Sequence, residues 1–206
     1  MRIVLPLVVS AVLLAGCATG PADQPSNTSP GILGLETVIP APGEVRGQGT
    51  VLQMGDAAPQ FCLGPVMESY PPQCSGPELV GWDWDVVEGD ETAGDARFGA
   101  YAVSGTWDGQ ALTVSGAIML ALYDPMPFVD PLLDPANAGD TDPAELERIQ
   151  AELTADGSPL VPLATWIENG YLFVSVLYDD GSIQNWTDQT YLPDAVAIRG
   201  ALTDIG

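Results

Sequence analysis

Residues 98–120 read FGAYAVSGTWDGQALTVSGAIML, and the fold class turns on them. Tyr101, Val103, Gly105 and Trp107 fall on one side of an extended segment, and Leu112, Val114, Gly116 and Ile118 on one side of the return. Period two is the spacing of a half-buried strand. Asp108-Gly109, between the two runs, is a turn pair that tolerates positive φ, so the runs read as a β-hairpin.

Toward the N-terminus, GQGTVLQ (47–53) leads into further strands. In ELVGWDWDVV (78–87), Leu79, Gly81, Asp83 and Asp85 alternate with Val80, Trp82, Trp84 and Val86. The apolar second set is expected to face the core. About five short antiparallel strands with one buried face predict a small OB-like β-barrel over residues 44–120, with a sandwich as the alternative. Residues 121–142, ALYDPMPFVDPLLDPANAGDTD, hold four Pro and five Asp. Pro interrupts regular helix and sheet, so this stretch reads as a connection.

A helix opens at Asp142, with Pro143 at its first position and Glu145 as the capping-box partner. Leu146, Ile149 and Leu153 form its apolar stripe, and Gly157 is its stop. PLVPLATWIE and YLFVSVLYD are then joined by Asn169-Gly170, a second hairpin turn. The latter strand is apolar on both sides and belongs at the centre of a covered sheet. A short helix from Ser182 and the strand AVAIRGAL follow. Residues 143–206 thus predict a small α/β layer of order αββαβ, and the whole chain a mainly β, α+β protein.

The N-terminus reads MRIVLPLVVSAVLLAGC. One Arg, then an apolar run from Ile3 to Ala15, then small residues make the layout of a secretory signal. The run is shorter than the roughly 20 residues a spanning helix needs. Leu14-Ala15-Gly16-Cys17 resembles the bacterial lipobox, which implies cleavage after residue 16 and lipid on the Cys17 thiol. Residues 1–16 are then the signal. Residues 17–43, rich in Pro, Ser and small residues, form a flexible tether from the lipid anchor in the membrane, to which Ile32, Leu33, Leu35, Val38 and Ile39 add docking contacts. The expected site is the outer face of the cell membrane.

That placement bears on the other two cysteines, Cys62 and Cys74, which bracket a Pro-Pro turn. Outside the cytoplasm an even pair reads as a disulfide. A zinc site needs more ligands, and a C-x-x-C redox pair has two intervening residues where this one has eleven. The bridge would present Ser69-Tyr70-Pro71-Pro72 at a stapled tip. Tyr70, Pro71 and Pro72 are therefore the candidate partner-contact residues, as an alternative to a turn that is merely locked.

The chain carries 28 acidic residues against 5 basic ones, with no His. All five basic residues are Arg. A net charge of −23 repels nucleic-acid phosphate. Lacking His and Lys, the chain has no Ser-His-Asp or Cys-His nucleophile system, no histidine metal site, no P-loop and no Schiff base. Carboxylates remain. Asp179-Asp180-Gly181-Ser182 does not meet the spacing of a calcium loop and reads as a turn. Gly89 to Asp95 reads as an acidic hairpin loop. Asp83 and Asp85, flanking Trp84, are the pair a glycan hydrolase would use. No catalytic, cofactor or metal residue is assigned.

GTVLQ (49–53), FCLGPVMESYPPQCSGPEL (61–79), GWDW (81–84) and AYAVSGTWDGQALTV (100–114) resemble a segment of a family of actinobacterial lipoproteins. VLYDDGSIQNW (176–186) is similar to their tail. The resemblance implies a lipid-anchored envelope protein with a disulfide. It carries no activity, so no functional residue transfers. The expected function is a non-catalytic structural or accessory binding module of the envelope, with a protein or glycan partner. A carboxylate-dependent glycan hydrolase and a calcium-binding adhesin-like domain are the alternatives. Cys17→Ser is expected to abolish acylation, either releasing the protein into the medium or leaving it uncleaved in the membrane. Intact-mass spectrometry checks this, and a variant that keeps the lipid mass removes the assignment.

Overall fold

The computed structural model describes residues 39–125 and 127–206. The expected signal at 1–16, the lipidation site Cys17, and the tether as far as Val38 lie outside the described residues. No helix among the described residues is long and apolar enough to cross a membrane.

The chain is mainly β, with one large antiparallel-rich sheet and one small sheet. Strands β1 (Glu44–Met54), β2 (Gln60–Cys62), β3 (Glu78–Val80), β4 (Glu91–Ala93), β5 (Ala96–Trp107) and β6 (Ala111–Met119) come first. Then follow α1 (Pro143–Leu153), β7 (Ala164–Glu168), β8 (Tyr171–Val176), α2 (Ser182–Thr190), β9 (Val196–Gly200) and β10 (Thr203–Asp204). The large sheet runs β10-β1-β2-β3-β6-β5-β4, and β1 additionally pairs with β5. The hairpin predicted at residues 98–120 is β5–β6, with Trp107 opposite Leu112. β3 and β6 are parallel, and the other pairs of this sheet are antiparallel.

Two local features redirect side chains from the alternation read in the sequence. In the 78–87 stretch Leu79 is buried, while Val80 and Val86 are 43% and 77% exposed. The strand stops at Val80 because Gly81 takes φ 79°, which favours glycine. The Asp83 carboxylate then accepts from the Asp85 amide at 2.9 Å, closing a turn. Trp82 and Trp84 reach the core from that turn, not from a strand. In β6, Gly105 faces Val114 and Ser104 faces Gly116, so Ser115 is an extra, bulged residue. Beyond it the phase inverts: Ala117 and Met119 pack on the core and Ile118 is 45% exposed. A side chain at Gly105 would lie 2.2 Å from the Thr113 carbonyl oxygen, so this crossing needs glycine.

Val45, Val51, Phe61, Tyr101, Val103, Trp107 and Leu112 fill the interior of the large sheet, joined by Tyr178 and Leu202 from the C-terminal region. The return strand β10 pairs with the start of β1, an element absent from the sequence reading. The Trp107 indole donates to the Ile39 carbonyl at 2.9 Å, so Ile39, expected to dock, does so. The two regions read separately from the sequence thus share a core, and the described residues belong to one compact unit.

The small sheet is ordered β7-β8-β9, with β8 in the centre as its two apolar sides require. Leu172, Val174 and Val176 meet Leu146, Ile149 and Leu153 of α1 and Ile183 of α2. On the opposite side Phe173 stacks on Trp166, with ring centres 5.1 Å apart. Asn169 and Gly170 turn the β7–β8 hairpin with φ 49° and 82°. α1 begins as predicted on the Asp142 carboxylate, which accepts from the Ala144 amide. Glu145 does not close a capping box, for its carboxylate is held by Arg148 at 2.8 Å. The same Asp-Pro device recurs in the connection. Asp130 and Asp134 cap single 3-10 turns that start at Pro131 and Pro135, and the Asp130 carboxylate also pairs with Arg199.

The outer edge of β9 is sealed by one side chain. The Gln184 amide donates to the Val196 carbonyl at 2.8 Å and accepts from the Ile198 amide at 2.9 Å, taking the place of a neighbouring strand. Gln184→Met keeps the length and removes both bonds. It is expected to cost about 1–3 kcal/mol, read as a lower urea midpoint with an unchanged m-value.

Candidate functional site

Cys62 and Cys74 are joined as a disulfide, with Cα atoms 5.9 Å apart. Phe61 points inward from β2 and Cys62 outward, so the bridge lies on the outer side of the sheet. There Leu52 and Phe98 are cross-strand partners, both apolar on the side that alternation assigns to solvent. The loop 63–73 covers them. Tyr70 sets its ring edge-on to Phe98, with centres 5.7 Å apart, and donates to the Glu91 carboxylate at 3.3 Å. Met67 and Gln73 form a bridge, the Ser69 hydroxyl donates to the Pro71 carbonyl at 2.8 Å, and the Tyr70–Pro71 bond is cis.

Of the expected contact residues, Tyr70 is 70% exposed, while Pro71 and Pro72 are half-buried. Val66 and Met67, which the sequence reading passed over, are exposed beside them at 38% and 63%. A sequence signal existed for the covering loop, though not for which of its residues stay exposed. Leu52 and Phe98 are out of phase on their strands, which marks an outer surface that something covers. The Cys-bracketed loop is the segment placed to cover it, and Tyr70 makes that contact.

Beneath this edge lies an aromatic group. Trp82 meets Trp84 and Tyr101 edge-on at 5.1 and 5.0 Å. Arg97 lies over the Trp84 ring at 4.9 Å and pairs with Asp90. Its hydrogen bond holds the Asp90 carboxyl below the usual carboxylate range. The Tyr101 phenol is pushed up, by burial first and by the Asp90 charge second. Its hydroxyl and the Trp82 indole N–H are buried without a hydrogen-bond partner among the described residues. The tryptophans therefore build the core and do not line an open cleft.

The acidic segments are used locally. The Asp179 carboxylate accepts from the Gly181 and Ile183 amides, and Asp180 from the Ser182 amide, which organises the start of α2. Asp83 closes its turn on Asp85, leaving Asp83 one oxygen committed to backbone. Among the described residues no group of three or more Asp, Glu, Cys or His is arranged to hold a metal ion. The Tyr178 phenol is pushed up to about 12, by burial and then by its hydrogen bond to Asp204.

No protein-family model, curated protein or solved structure matches the chain.

Replacing both Cys62 and Cys74 by Ala is expected to lower stability by about 2–3 kcal/mol, the unfolded-state effect of a loop this short. A glutamate-specific protease should also cut the loop after Glu68, located by mass spectrometry of the fragments, without loss of the β-sheet circular dichroism signal. Unchanged stability and an uncleaved loop would show that the Met67–Gln73 bridge and the Tyr70 contacts hold it without the disulfide.

Proposed function

We propose that the protein is a lipid-anchored, extracytoplasmic binding module without catalysis, and that the disulfide loop is its contact face. One observation carries this reading. Val66, Met67 and Tyr70 are exposed together on a backbone already held by a disulfide, a bridge pair and an aromatic contact. An apolar surface whose conformational entropy is already lost binds with a smaller ordering cost. Aromatic and Met side chains are enriched in interface cores. The disulfide also supports an oxidising compartment, in keeping with acylation at Cys17.

The large sheet reads as an OB-like barrel. In support, pairings can be followed from β1 through β2, β3, β6 and β5 back to β1, with β3 and β6 the parallel pair. OB-folds bind through the face of their second and third strands and the loops joining strands one to two and four to five. The disulfide loop connects β2 to β3, so it adjoins those strands without being one of the two usual binding loops, and exposure rather than fold-level analogy selects it. The partner is an envelope protein or glycan with an apolar or neutral contact surface.

A photo-crosslinking residue placed at Met67 in the full lipoprotein in cells, with the exposed Glu147 as control position, tests the reading. A discrete adduct from position 67 that is absent from position 147 and lost with Tyr70→Ser is the expected result. Identical or absent adducts from both positions would overturn the assignment of this face.

A further inference from the structure

The C-terminal ends of α1 and α2 converge on a cleft of ≈500 Å³. Trp186 and Tyr191 form one corner of it, with ring centres 6.1 Å apart and planes at 84°. Both rings are half-buried against the core of the small sheet, which fixes their positions. Glu152 and Asp156 stand on the α1 side. Neither helix carries a basic residue in its last turn. Each therefore adds a partial negative charge, about half an elementary charge when uncompensated, at its C-terminus. Arg148 pairs with Glu145 and Glu152 at 2.8 Å each, which offsets part of that charge and leaves Asp156 and both helix ends unmatched. Burial first and the Glu152 carboxylate second raise the Tyr191 phenol, so the hydroxyl adds no negative charge of its own to the cleft lining.

We propose that this cleft binds a small organic cation, an alkylammonium or quaternary ammonium group, in the corner of Trp186 and Tyr191. The chemistry selects charge and shape together. Aromatic faces attract a cation through their quadrupole, most strongly when water is excluded, and the carboxylates and helix ends supply a negative field. A neutral sugar stacks on one open platform, whereas two rings at right angles make a corner that fits a compact, rounded head. The site is separate from the disulfide loop and does not depend on that reading.

The full chain is titrated with choline chloride, with its neutral carbon counterpart 3,3-dimethylbutan-1-ol, and with glucose. Binding is read by the Trp186 indole N–H resonance, assigned from its loss in Trp186→Phe. Choline should give a saturable shift, and the neutral alcohol should bind roughly tenfold more weakly. Glu152→Gln with Asp156→Asn, both at exposed positions, should weaken choline and leave the alcohol unchanged, with the thermal melt showing that the fold is kept. Absence of a saturable choline shift, equal affinity for the alcohol, or tighter binding of glucose would each overturn the proposal.

Discussion

The antiparallel ladder between β1 and β5 is the constraint on which the rest depends. It runs without a break from Glu44 opposite Thr106 to Met54 opposite Ala96. Its two strands lie about fifty residues apart in sequence, so closing that loop carries an entropic cost that local hairpins avoid. What offsets it is the inward row: Val45 and Val51 on one strand, Tyr101 and Val103 on the other, all fully buried. Once this ladder stands, β6 folds back on β5, β2 on β1, and β3 bridges them. The last residues add β10 to the start of β1, so the C-terminus closes on the same element that opens the described fold.

The ladder also decides where a contact surface can exist. Alternation along β1 and β5 puts Leu52 and Phe98 on the outer side, directly opposite each other. Left bare, that pair would be an exposed apolar patch on a sheet face. The loop between β2 and β3 is anchored at Cys62, one residue beyond the inward Phe61, and so it leaves the sheet on that outer side. It sets Tyr70 against Phe98 and the disulfide against Leu52 and turns Val66 and Met67 to solvent. The staple thus relocates apolar surface from a flat sheet to a shaped loop.

Much of this was legible because it depends on local chemistry. The β5–β6 and β7–β8 turns, the Asp142 cap, the stripe Leu146, Ile149 and Leu153, and the central place of β8 all follow from period and turn residues within a dozen positions. The Cys62–Cys74 pairing followed from elimination. What escaped depends on events that break period. A bulge at Ser115 inverts the phase of β6, and Gly81 ends β3 before its tryptophans, so alternation assigned Ile118 and Val80 to the wrong side. The pairing of Thr203–Asp204 with β1 and the Gln184 seal on β9 are non-local. Each uses residues unremarkable in their own windows. The exposed Val66 and Met67 were missed because exposure of an apolar residue is a property of the finished surface.

The use of arginine narrows what can meet that surface. Four arginines lie among the described residues, and each acts as a fastener. Arg46 donates to Ser104 and lies over Tyr123, Arg97 joins Asp90 to the Trp84 ring, Arg148 spans two glutamates of α1, and Arg199 ties the connection at Asp130 to the Phe173 ring. Three of the four cover an aromatic face, where a guanidinium both stacks and keeps its charge. With these arginines paired to carboxylates or held over aromatic rings, the protein presents unpaired carboxylates against a chain charge of −23. Such a surface repels phosphate and anionic lipid headgroups at separations within a Debye length, about 8 Å at physiological salt. Within that range, a partner must approach through neutral, apolar or cationic groups. The disulfide loop and the corner of Trp186 and Tyr191 interrupt this acidic surface with fixed aromatic side chains, and there such groups find a complement.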